Sequence, residues 1–393
     1  MKLFKLLIFL IVCYPFLFAN CTQHEEPINK NSVSSIRSPH VFSKIDSSKY
    51  KLEIFRLDTL FNKLYKANAF NGNVLIAKGS HIIYQKSFGI GNKSANTQLS
   101  DSSLFQLASV SKVVTGIAAM MLYEKGKLKL ETKVYEILKG FPYTNISVRD
   151  LLSHRSGLPN YLYFCSDYVK SPPPHLSNQG LLDLIVKYQP KPFLKPGKRF
   201  NYNNTNYALL ALIIEKISGK KFSVFLKEEL FKPLGMRHTY TALDIDSTRE
   251  YLTQGHTLSY ARVANDWFDG VLGDKGIYTT TFDLFLLSAA LYQQRLLNPE
   301  TQCLAYKPHS PEKKESNYGF GWRMKNLNND DKEVYHNGWW HGYRTSFHRR
   351  LKDSLTVIVL SNRLNMSVYA TGRVYAAIDG PKAKELSKDD TDE

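Results

Sequence analysis

"QLASVSKVVTGIAAMMLYEKG", residues 106–126, decides how the chain is read, because a single lysine interrupts what is otherwise an apolar helix. Residues 111–124 are nearly all apolar and Gly126 closes the run, which predicts a helix buried on every side. Lys112 is the only charged residue between Asp101 and Glu124. An isolated ammonium in that setting is costly unless it finds a partner or gives up its proton. Ser109 stands three residues earlier, one helical turn away on the same side, within reach of the lysine. Burial and the positive end of the helix dipole both weaken the lysine's hold on its proton. A neutral lysine accepts the proton of a serine and leaves a nucleophilic oxygen.

The S-x-x-K spacing alone decides nothing, since it recurs at Ser48/Lys51, Ser218/Lys221 and Ser310/Lys313 in polar contexts. Taken alone, the spacing is better explained by a serine cap beside a lysine stem lying along its helix. Two further elements supply context. Tyr202-Asn203-Asn204 precedes a second apolar helix, "NYALLALIIEKISG" (206–219). A phenol beside a lysine shares its proton, so the pair serves as general base and then as acid to the leaving group. Asn204 is placed to hold Lys112 or a substrate amide. The Y-x-N spacing also occurs at Tyr143/Asn145 and Tyr335/Asn337, and packing alone explains most of the 24 tyrosines. The third element is His336-Asn337-Gly338 in "YHNGWWHGYRTSF" (335–347), the only H-x-G of the chain. On a strand edging a pocket, Gly338 lets substrate approach the backbone, and the N–H that follows it pairs with that of Ser109 as an oxyanion hole. His336, His341 and His348 lack carboxylates or cysteines at zinc-like spacing, so no metal and no other cofactor is expected.

Outward from these motifs, strand-like runs gather near both ends. "GNVLIAKGSHIIYQKSFGIG" (72–91) reads as a hairpin turning at Lys78-Gly79-Ser80, after a first helix between Leu52 and Phe70. "EVYHNG", "YRTSFHRRL" and "LTVIVLS" are three β-rich segments joined by short turns, and "SVYATGRVYAAI" closes the fold as a helix. The stretch between them is mainly helical, with capping-box spacing at Ser147 and Asp150. The expected fold class is therefore α+β, an α/β arrangement with a helical insertion: one antiparallel sheet built from both termini and flanked by helices, plus a mainly helical part. The sheet part is set at about 51–110 and 266–379, the helical part at about 111–265, and 380–393 is a charged tail.

At the start, Lys2 and Lys5 precede an apolar run from Leu6 to Ala19, the pattern of a signal peptide over residues 1–20. Cys21 follows and is a candidate for lipidation, with residues 22–50 as a flexible tether. The expected location is exported, periplasmic or cell-surface, with membrane contact through the lipid. A net charge of +17 over 393 residues favours anionic surfaces or substrates bearing carboxylates. Nucleic acid is not expected, because no binding motif accompanies the charge. Pairing between Cys165 and Cys303 is left open.

Ser109-x-x-Lys112, Tyr202-x-Asn204 and His336-x-Gly338, in that order, resemble the three active-site motifs of the serine beta-lactamase and penicillin-binding-protein superfamily. The branch holding class C beta-lactamases, D-alanyl-D-alanine carboxypeptidases and esterases is the most similar. "LLSHRSGLPNY" (151–161), "PLGMRHT" (233–239), "YGFGW" (318–322) and "VIVLSN" (357–362) are also similar to it. The resemblance runs from about Gly72 to Asn362. It implies a cleft between a sheet domain and a helical domain, with Ser109 acylated, Lys112 and Tyr202 moving the proton, Asn204 in contact with substrate, and the Trp339 N–H as second oxyanion donor. His336 stands where penicillin-recognising members carry a lysine, and a neutral imidazole attracts a substrate carboxylate less strongly. Asp274 and Lys275 in "GDKGIYTTTFDL" (273–284) also depart from the pattern.

These features predict an exported serine hydrolase working through an acyl-enzyme on a small-molecule or peptide substrate: an ester, an amide or a D-amino-acid peptide. The alternatives are a beta-lactamase or DD-peptidase acting on cell-wall stem peptides, and a non-hydrolysing wall- or ligand-binding protein of the same fold. An α/β-hydrolase is disfavoured by the lack of a G-x-S-x-G elbow.

Overall fold

A computed structural model describes residues 47–312, 316–327 and 331–380. The leader, the tether up to residue 46 with Cys21, and the tail beyond 380 lie outside the described residues. Cys165 is a buried free thiol, so it does not pair with Cys303.

Seven antiparallel strands form the main sheet: β1 (Gly72–Lys78), β2 (His81–Phe88), β3 (Ser316–Tyr318), β4 (Arg323–Asn326), β5 (Lys332–Trp340), β6 (Tyr343–Arg350) and β7 (Leu355–Ser361), in the order β2-β1-β7-β6-β5-β4-β3. The strand from the C-terminal end thus lies between the N-terminal hairpin and the rest, with Asn73 opposite Leu360 and Lys78 opposite Leu355. Alternation along a strand assigns its side chains to two apolar layers. Val74, Ile76, Val357 and Val359 pack with Leu57 and Phe61 of α1 (Lys51–Lys66) and with Val374 and Tyr375 of the closing helix Thr371–Asp379. Leu75, Ala77, Ile358 and Leu360 join the larger core on the other face. Burial on both faces is why "LTVIVLS" is a continuous apolar run rather than an alternating one.

Asn362 ties the two ends together: its Nδ2 donates to the carbonyls of Gly91 (2.8 Å) and Gln254 (2.9 Å), and its Oδ1 accepts from Asn71 Nδ2 (2.7 Å). That accounts for the asparagine closing "VIVLSN". The larger core centres on α2 (Ser111–Glu124), whose residues from Ser111 to Leu122 are all buried, and on α3 (Asn204–Ser218), buried from Thr205 to Ile214. The capping box at Ser147 and Asp150 is formed. A small second sheet pairs Phe105–Gln106 and Tyr240–Thr241 with Ile277–Thr279; its two- and three-residue strands carry no period that a sequence reading detects. No helix among the described residues is long and apolar enough to cross a membrane.

Candidate active site

Ser109 sits on the 3-10 turn Ala108–Val110 that enters α2. The N-cap position of α2 is Val110 and no side chain caps it, so Ser109 is not the capping serine that S-x-x-K alone allowed. Ala108, immediately before Ser109, is held at φ +49°, in the left-handed region that a side chain resists. Three contacts brace this turn: Leu107 N donates to Ile277 O (2.8 Å), Leu107 O accepts from Thr345 Oγ1 (2.6 Å), and Gly338 presses against it. A Cβ on Gly338 would lie 2.4 Å from Leu107 O and 2.3 Å from Thr345 Oγ1. The space this glycine leaves is filled by the serine-bearing turn and not by a cleft, a different reason for glycine from the one the motif suggested. Gly321 of "YGFGW", at φ +87°, lets its loop lie on the backbone of α2 beside Lys112 and Gly116.

Lys112 is fully buried. Its Nζ lies 3.0 Å from Ser109 Oγ, 2.8 Å from Asn204 Oδ1 and 2.9 Å from the Asp274 carbonyl. Asn204 Oδ1 and the carbonyl can only accept. They fix two N–H vectors, so of these three contacts only the one with Ser109 can reverse and take a proton from the hydroxyl. The Tyr202 ring lies 4.9 Å from the same nitrogen, and the Arg323 guanidinium 5.0 Å from that ring. The structure thus gathers Ser109, Lys112, Tyr202 and Asn204.

Sequence reasoning missed His154, within "LLSHRSGLPNY". It is fully buried at φ +56°. Its carbonyl accepts from Asn201 N (2.8 Å) and its Nδ1 from Asn203 N (3.1 Å), which pins the segment carrying Tyr202. Its ring packs 4.5 Å from Tyr202 and 4.6 Å from Tyr318. Burial, then the neighbouring Lys112 and Arg323, push its pKa well below the usual histidine value, so the ring is neutral.

The match to known proteins follows this geometry. Residues 57–380 fit the model of the family described as Beta-lactamase. The chain belongs to the beta-lactamase family. It is 34% identical over 337 residues to penicillin-binding protein 4* of Bacillus subtilis, covering 82% of this chain and 74% of that protein. It is 25% identical over 340 residues to a teichoic acid D-alanine hydrolase of Staphylococcus aureus, covering 81% of each. Among solved structures, a penicillin-binding protein from Bacillus halodurans superposes with a TM-score of 0.71 at 26% identity, over 81% of this chain and 98% of that one. With these relatives, the chain is a serine hydrolase of the beta-lactamase fold.

On strand β5, His336 is fully buried. Its Nε2 lies 3.1 Å from Tyr318 OH and its ring 6.0 Å from that of Tyr202. Burial first, then Arg323 and Lys112, depress its pKa, so it stands neutral where a lysine was the alternative. The three histidines considered as metal ligands lie with different partners: His341 meets Asp269 (3.0 Å) and Asp266, their ligand atoms within 4.8 Å of one another, carboxylates that spacing along the chain did not reveal, and His348 bonds Glu333 (2.7 Å) while stacked on Tyr335. Pleating also separates the tryptophans. Trp340 shares the face of His336 and Gly338 and donates to Asp269 (2.6 Å). The Trp339 side chain, 59% exposed, lies on the opposite face with Arg344. The Trp339 side chain therefore does not share the face of His336 and Gly338.

Proposed function

We propose that this hydrolase works through an acyl-enzyme on Ser109, cleaving ester or amide bonds to D-alanyl or other D-amino-acid groups. The carrying observation is the Lys112 nitrogen, held by two pure acceptors with Ser109 as the reversible contact. The Ser109 proton passes to the Lys112–Tyr202 pair as Oγ bonds to the carbonyl carbon. The oxyanion is held by the N–H groups of Ser109 and Trp339. Collapse breaks the bond to the leaving group, which takes the proton from the pair, and water then hydrolyses the ester in the reverse sense. Support for the substrate class comes from the likeness to the teichoic acid D-alanine hydrolase of Staphylococcus aureus. The neutral His336 supports low turnover of beta-lactams, whose carboxylate a lysine would hold more firmly.

The test is a panel of p-nitrophenyl esters, D- and L-amino-acid amides, D-alanyl peptides and nitrocefin, with fluorophosphonate labelling of wild type and Ser109→Ala. Turnover of esters and D-amino-acid substrates, with labelling abolished by the substitution, is the expected result. Equal labelling of both proteins removes Ser109 from the reaction. Efficient nitrocefin turnover transfers the reading to a beta-lactamase, and ligand binding with no turnover to a binding protein. The same proposal places the protein outside the cytoplasm, tethered through lipid on Cys21; metabolic labelling with a radioactive fatty acid that survives Cys21→Ser removes the tether.

A further inference from the structure

Two buried charges beside the site take no part in the scheme above. Asp274 and Lys275 are 1% and 3% exposed, on the turn between Gly273 (φ +101°) and Gly276 (φ +87°). Lys275 Nζ lies 3.5 Å from Asp274 Oδ2 and donates to Tyr161 OH, which in turn donates to the same carboxylate oxygen at 3.0 Å. The ammonium also lies 4.8 Å from the Trp340 ring and 5.1 Å from that of Tyr161. The other carboxylate oxygen, Asp274 Oδ1, is buried without a hydrogen-bond partner. A buried pair of this kind does little for stability, because desolvating both ions offsets their attraction. Its position is the notable property: Asp274 holds Lys112 through its carbonyl and Lys275 through its side chain, so both ammonium groups converge on one residue.

We propose that Asp274 and Lys275 form a charge pair that sets how firmly Lys112 holds its proton. The Lys275 cation works against a second positive charge at Lys112, and the Asp274 carboxylate tempers that effect. Lys275 is then a positioning residue acting through Lys112, and the inference rests on the reading of Lys112 as the proton acceptor of Ser109. The remaining groups facing Lys112 leave this part open. His154 and His336 are neutral through burial, Tyr202 and Tyr207 present ring faces, and Arg323 lies across the Tyr202 ring. On the far side of Lys275, Asp269 is held by Trp340 and His341, and Asp266 caps the turn Trp267–Gly270. Burial is also the leading influence lowering the pKa of Lys275 itself, with Lys112 acting in the same direction.

Charge and packing predict different outcomes. A like or opposite charge within a few ångströms moves a neighbour by about one pKa unit or more. Lys275→Met removes a cation, so Lys112 holds its proton more firmly and the acidic limb of kcat/KM moves to higher pH by about one unit. Asp274→Asn removes the tempering carboxylate and keeps the carbonyl that binds Lys112, so the limb moves to lower pH. The double variant returns the limb close to its wild-type position. Two measurements are made on folded, full-length proteins with matched melting curves: the pH dependence of fluorophosphonate labelling at Ser109, and the titration of Lys112 followed by ¹³Cε NMR. Opposite displacements in the single variants and restoration in the double variant are the expected result. Unmoved midpoints, displacements of the same sign, or a double variant worse than either single one overturn the proposal and leave the pair a packing feature. Labelling that persists in Ser109→Ala counts against the proposed function, while the NMR titration still decides the charge proposal.

Discussion

Gly338→Ala tests whether the third motif exists for the nucleophile's turn or for the substrate. The added methyl would sit 2.4 Å from Leu107 O, 2.3 Å from Thr345 Oγ1 and 3.1 Å from Ala108 Cβ. The threonine can rotate away only by releasing its 2.6 Å bond to Leu107 O. The carbonyl is main chain and must retreat by about 1 Å to reach ordinary contact, and that displacement passes to Ser109 two residues on. Overpacking of this kind costs about 1–3 kcal/mol of stability. A shift of about 1 Å in a reacting group lowers the rate by roughly 10²-fold. The assay is kcat and KM on an activated ester, with urea unfolding in parallel. The expected result is a fall in kcat of about two orders of magnitude, KM changed little, and a lower unfolding midpoint. A rise in KM with kcat and stability intact would refute the reasoning and return the glycine to the substrate.

Removing the Lys112 acceptor with Asn204→Ala lowers kcat far more than it raises KM, by about 10²-fold, and steady-state kinetics on one ester decides it. Trp339→Ala leaves kinetics within about twofold, because its side chain lies on the strand face opposite His336 and Gly338, whereas Trp340→Ala alters KM; equal effects from both would contradict the assignment of faces. Stability falls as the medium is acidified below about pH 6.5. His154, His336 and His309 are neutral when folded, the last with its pKa pushed down to about 4 by burial, while the unfolded chain takes up their protons. For each, the stabilising effect is complete above the unfolded value and declines as pH drops toward the folded one. Urea midpoints measured between pH 7 and 4.5 follow the decline, and His309→Phe, at a ring stacked 4.1 Å from Phe320, makes it shallower.

What could be read in advance was whatever a residue announces locally. The helix at 111–124 is nearly all apolar and the strands at both ends are β-rich, so the sheet-and-insertion outline and the company of Ser109, Lys112, Tyr202 and Asn204 were legible. The rest depended on atoms every residue possesses. The Asp274 carbonyl that holds Lys112 has no signature in the letters; the flanking glycines at 273 and 276 hinted only at a turn. His154 lay inside a recognised stretch, yet its task of pinning the main chain at Asn201 and Asn203 requires the two segments to be brought together. Gly338 was noticed, but its partner could not be named before β5 and the turn at Ala108 were known to touch. The small sheet escaped because two-residue strands have no repeat to detect.

The placement of β7 between β1 and β6 governs the order in which the molecule can come into being. Asn71 and Asn362, bonded in the finished protein, are 291 residues apart along the chain. A polypeptide leaving the ribosome carries β1 with one side unpaired for almost the whole of its synthesis, exposed to association with other chains. Closure of so distant a pairing is slow. Any truncation upstream of Leu355 therefore removes the strand that joins the N-terminal hairpin to β6 and leaves β1 without its second neighbour.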